Sequence, residues 1–99
     1  MAIRPDEELD RLIAASSDQS EPYLMKAQLL NTLGKPEQAE KMLQQAVRIA
    51  PNFADVYFEL AKIYESRDDR SVALMYFNQA ARRGHPAAKE RLLNKANDN

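Results

Sequence analysis

The residues able to do chemistry in this 99-residue chain are few and poorly placed for it. His85 is the single histidine and stands beside Pro86 at a helix boundary, without the serine and aspartate partners of a nucleophilic triad. Two acid pairs, Glu7-Glu8 and Asp68-Asp69, carry the carboxyl groups that acid–base work needs. The first suits the positive end of a helix dipole and the second a helix cap. There is no cysteine, which removes disulfides, thiolate metal sites and a cysteine nucleophile together. No Gly-rich phosphate loop and no H-E-x-x-H pattern occurs, so no catalytic residue, metal site or cofactor is expected.

Charged residues make up 29% of the chain and nearly cancel, at net charge −1, so no global field steers it to nucleic acid or to an anionic membrane. Partners must be read by local features. The start, Met-Ala-Ile-Arg-Pro-Asp-Glu-Glu, lacks a basic leader, and no 18-residue apolar run follows. The simplest expectation is one soluble, cytoplasmic domain over 1–99 with a thin core and a net stability of roughly 5 to 10 kcal/mol.

Two glycines and five prolines punctuate the chain where an all-helical protein needs them. A first helix is expected over 5–16, with Asp6, Glu7 and Glu8 at its start and Leu9, Leu12 and Ile13 on one face. Ser20 is the expected N-cap of a second, carrying Tyr23, Ala27 and Leu30 and ending at Gly34. A third starts at Lys35-Pro36, carries Ala39, Leu43 and Ala46, and stops before Pro51. Asn52 with Asp55 resembles a capping box for a fourth, which carries Tyr57, Leu60, Ala61 and Tyr64. Asp68 and Asp69 break that helix and cap a fifth, from Arg70 to about Arg83, whose stripe is Ala73, Phe77 and Ala80. Gly84 closes it, and Pro86 opens a sixth helix reaching about Ala96, with Ala88 and Leu92 four residues apart.

Sliding the chain 34 residues along itself puts Tyr23 on Tyr57, Ala27 on Ala61, Ala39 on Ala73 and Ala46 on Ala80. Small residues at these slots let two antiparallel helices approach closely, and large ones between them fill the remaining volume. Of the aromatics that could stack nucleic-acid bases, Tyr57, Tyr64 and Phe77 are such core slots, so no nucleic-acid partner is expected.

The pattern resembles the tetratricopeptide repeat. Its second unit reads Tyr57-x2-Leu60-Ala61-x2-Tyr64, then Ala73-x3-Phe77-x2-Ala80; its first reads Tyr23-x2-Lys26-Ala27-x2-Leu30, then Gly34-Lys35-Pro36 and Ala39-x3-Leu43-x2-Ala46. Residues 80–88 also look like the linker of Sel-type repeats. The resemblance implies an all-α fold: a right-handed superhelical stack of antiparallel helix pairs, with repeats over 20–53 and 54–85 between capping helices over 5–16 and 86–96.

What the family resemblance implies for function is a non-catalytic module that binds a peptide or helix of a partner protein along the exposed face of each hairpin's first helix. Here that face is Leu24, Gln28 and Asn31, continued by Phe58, Lys62 and Glu65. Leu24 and Phe58 would be apolar anchors on a wet face, Gln28 and Asn31 would bond a peptide backbone, and Lys62 would meet a carboxylate. The carboxylate clamp of some relatives would need a Lys and two Asn where this chain has Leu24, Gln28 and Glu59, which argues against their chaperone partners. Two alternatives stay open: a homo-oligomeric scaffold that fills its own groove, and a regulatory fragment of a larger enzyme. Residues 1–21 hold six acids against two bases and residues 82–99 five bases against two acids, a layout that would allow weak head-to-tail association.

Overall fold

A computed structural model of the protein describes residues 20–97; the helix expected over 5–16 lies outside them. Five helices follow in order: α1 (Glu21–Thr32), α2 (Pro36–Ile49), α3 (Ala54–Ser66), α4 (Arg70–Arg82) and α5 (Pro86–Asn97). No strand occurs among the described residues. The fold is all-α, and the expected boundaries hold to within one or two residues, the usual uncertainty of frayed helix ends. The chain divides into two compact units between Pro51 and Asn52.

In the first unit α1 packs on α2. Leu24, Ala27 and Leu30 of one helix and Ala39, Leu43 and Ala46 of the other are buried. In the second unit α3 packs on α4 and α4 on α5. Its core is Val56, Tyr57, Leu60, Ala61 and Ile63 with Ala73, Phe77, Ala80 and Ala88. Each large side chain removed from water here contributes about 1.5 to 3 kcal/mol. Tyr23 and Tyr64, read from the sequence as core, are only half-buried. The ring of Tyr64 stacks on Tyr76, with centroids 5.6 Å apart, and carries the Arg67 guanidinium 5.3 Å away.

The turns that close α1, α3 and α4 share one design. Lys35 N–H donates to Leu30 O, Asp69 N–H to Tyr64 O and His85 N–H to Ala80 O, at 2.8 to 3.0 Å. Each bond spans five residues and satisfies a carbonyl that the ending helix leaves free. This geometry needs one left-handed residue, supplied by Gly34 (φ 77°), Asp68 (φ 61°) and Gly84 (φ 92°). Asp68 is the strained member, because its Cβ crowds the backbone in that region and its carboxylate sits at the negative end of α3. Its ion pair with Arg70, at 3.4 Å, joins two strongly exposed side chains and recovers little. Asp68→Gly should therefore raise stability by about 0.5 to 1 kcal/mol, seen as a melting temperature several degrees higher. An unchanged or lower melting temperature would mean that the aspartate carries no such strain.

Two of the expected caps are not made. Ser20 sits at the N-cap of α1, but its side chain caps nothing and its backbone is helical (φ −82°, ψ −21°). It is the Ser20 carbonyl that enters the helix, accepting from Leu24 N–H at 3.0 Å. At α3 the N-cap is Phe53 rather than Asn52, one residue too late for the Asn52–Asp55 capping box. Asp69 does cap α4, with Oδ1 3.4 Å from Val72 N.

Candidate functional site

The six residues expected on the binding face fall in two groups, one in each unit. On α1, Gln28 and Asn31 are exposed, but Leu24 is only 5% exposed. The expectation of a wet leucine anchor is corrected by this burial. Pro22, Leu24, Ala27 and Leu30 are all buried, and at 100° per residue they cover more than half of the helix circumference. A helix covered so widely keeps only a narrow wet strip, and Leu24 is not on it.

On α3 the spacing of Phe58, Lys62 and Glu65 does place them along one side, yet each is engaged within its own unit. The Phe58 ring meets Phe77 edge-on at 5.6 Å and lies flat against His85, with centroids 4.2 Å apart and planes 9° from parallel. Phe58 is thus half-buried, and one of its faces is taken. The Lys62 ammonium, expected to await a ligand carboxylate, is 3.0 Å from Glu59 Oε1 and 5.2 Å from the Phe58 ring centroid. Glu65 accepts from Arg91 Nη1 through both oxygens, at 2.6 Å for Oε1.

His85 is the hub of this arrangement. Its Nδ1 accepts from Ala88 N–H at 3.2 Å, capping the first turn of α5, while Nε2 faces Asp55 Oδ1 at 3.3 Å. The bond from Ala88 leaves Nδ1 bare of a proton, so the imidazole carries its hydrogen on Nε2 and donates to Asp55. One ring therefore caps α5, ties it to the start of α3 and covers Phe58. A sequence reading that sees His85 only as a boundary residue misses this role. The signal lies in a cap position three residues before Ala88, but its partners Asp55 and Phe58 are distant in the chain.

Beside this cluster lies an open groove of about 720 Å³, formed within the second unit by α3, α4 and α5. Phe58, Leu74, Phe77 and Leu92 give it apolar walls, and Glu65, Glu90, Arg91 and Asn94 give it polar ones. The Arg91 guanidinium lies 4.9 Å from the centroid of Phe77. No group of three or more His, Cys, Asp or Glu able to hold a metal occurs among the described residues. No helix among them is long and apolar enough to cross a membrane. The arrangement offers apolar area, hydrogen-bonding groups and fixed charges, the means of binding a segment of polypeptide.

Two family profiles, both described as tetratricopeptide repeat, match this chain over residues 20–63 and 54–83. The second match ends just before Gly84-His85-Pro86. No curated protein matches the chain. Among solved structures, the crystal structure of MamA is similar, at 24% identity and a TM-score of 0.75, over 85% of this chain and 49% of that one. The chain spans about half the length of that protein, and the likeness is one of fold, an α-solenoid of helix pairs. With both of its repeats matched in sequence and its helix pairs matched in space, the chain belongs to the tetratricopeptide repeat family.

Proposed function

We propose that this chain is a non-catalytic protein-interaction module that takes an extended or helical segment of a partner protein in the groove of its second unit. The observation that carries this reading is the groove itself: an open space of about 720 Å³ with two phenylalanines in its walls and charged groups among its lining residues. Apolar area supplies most of the affinity in such a site, and the few polar groups set orientation. Phe58 acts there as part of a packed wall with Phe77 and His85, rather than as a free anchor. Gln28 and Asn31 remain exposed on α1, in the first unit. The partner is a protein or peptide; nothing in the lining calls for nucleic acid or a cofactor.

The test is selection of binding segments from a displayed peptide library, followed by titration of the isotope-labelled chain and mapping of its amide shifts. Shifts concentrated on α3, α4 and α5 around Glu65, Leu74 and Arg91 are the expected result. Shifts confined to other surfaces would move the site elsewhere.

A second reading, self-association, is favoured by the charge layout and by Leu93, which is 64% exposed on α5. Sedimentation at several concentrations decides it, since a stable dimer would hold twice the monomer mass and a weak one would fall toward the monomer mass on dilution.

A further inference from the structure

The groove of the second unit contains an arginine whose donors are only partly used. Arg91 Nη1 gives its hydrogens to the two oxygens of Glu65, and the guanidinium is held 4.9 Å from the Phe77 ring centroid. Nε and Nη2 have no partner among the described residues, although the side chain is 44% exposed and lines the groove. Two parallel N–H groups, one on Nε and one on Nη2, therefore stand on one edge of a planar cation whose position is already fixed from two other directions. That edge has the spacing of a carboxylate, which accepts two parallel N–H bonds from it.

The surroundings specify what should accompany the carboxylate. Leu74 and Phe77 line the same groove as Arg91. The groove's own acids are unequal: Glu65 is held by Arg91, and Asp68 lies 3.4 Å from Arg70 Nε. Glu90 has no partner among the described residues and opposes an incoming anion. Its repulsion acts through water and is screened by salt, whereas a paired contact to a fixed guanidinium is short and directional.

We infer that the partner segment received here carries a carboxylate beside an apolar side chain, the carboxylate taken by the Nε–Nη2 edge of Arg91 and the apolar group resting on Leu74 and Phe77. This deepens the protein-interaction reading above and rests on it. Preorganisation favours it: Glu65 and Phe77 have already removed the freedom that a surface arginine would lose on binding.

The experiment titrates the full chain, isotope-labelled, with three end-blocked peptides: Ala-Leu-Glu-Leu-Glu-Ala and its counterparts with Gln or Lys in place of Glu. The Glu peptide should shift amides around Leu74, Phe77 and Arg91 and bind about tenfold tighter than the Gln peptide, a difference that shrinks as salt rises. Arg91→Gln should abolish that preference. Glu65→Gln, which leaves Nη1 an acceptor but removes the negative charge beside the guanidinium, should strengthen it, as should Glu90→Gln. If Arg91→Gln fails to fold, the three peptides on the unchanged protein still decide. Equal or tighter binding of the Gln or Lys peptide in the same groove overturns the carboxylate preference and leaves the interaction reading standing. Absence of groove shifts with all three peptides overturns both.

Discussion

Truncating Leu60 to alanine should lower the unfolding free energy by about 2 to 5 kcal/mol. The side chain is 1% exposed and ranks among the largest that are fully buried, in the unit where α3 packs on α4. Removing three carbons there loses their transfer free energy and leaves a void that helices tied by a short turn cannot fully close. A domain of this size is stable by only about 5 to 15 kcal/mol, so the loss is a large share of the total. Urea unfolding reads it directly, as a lower midpoint at unchanged slope. Leu93→Ala is the matched control: the same atoms leave a side chain mostly in water, and the change should stay within about 0.5 kcal/mol. Equal effects at the two positions would contradict the burial of Leu60.

Enlarging Ala80 or Ala61 to leucine should cost about 1 to 3 kcal/mol for the opposite reason. Both have no exposed surface, Ala61 on α3 and Ala80 on α4, two helices that pack on each other. A leucine there must push the helix axes apart or take a strained rotamer. Helix propensity cannot explain such a loss, because leucine ranks close to alanine as a helix former. Ala87→Leu, on the exposed side of α5, should be tolerated within about 0.5 kcal/mol. Thermal melts of the three variants separate crowding at the contact from any general effect of the added bulk.

These two predictions concern positions that the sequence itself marks. Ala61 and Ala80 answer Ala27 and Ala46 at a fixed offset, and such recurrence reports a demand of packing that local preference would not repeat. Gly34, Gly84 and the prolines at the starts of α2 and α5 were equally legible, because a left-handed turn and a first helical position each accept few residue types. The caps at Ser20 and Asn52 were legible only in part. A capping residue type shows that a helix starts nearby, but the register of the start depends on how the preceding chain enters.

The candidate site shows the same division. Helical spacing alone brings Phe58, Lys62 and Glu65 to one side of α3. Their availability was not legible, since it depends on side chains from elsewhere in the chain: His85 against Phe58 and Arg91 on Glu65. Leu24 fails as an exposed anchor for a related reason. Periodicity identifies one apolar stripe, and α1 is buried over a wider arc than one stripe implies.

By itself, then, the sequence determined the helices, their turns and the small-to-large alternation that pairs them. Those follow from local backbone preference and from the volume a close helix contact allows, both of which recur with the repeat. Tertiary structure alone decided which polar groups are spent and which are left to bind. Glu65 is consumed by Arg91 and one face of Phe58 by His85, while the far edge of Arg91 is left over; the Lys62–Glu59 pair, three residues apart on α3, is by contrast local. Pairings between α3 and α5 have no period to announce them, because each is made once, between side chains that only folding brings within a few ångströms.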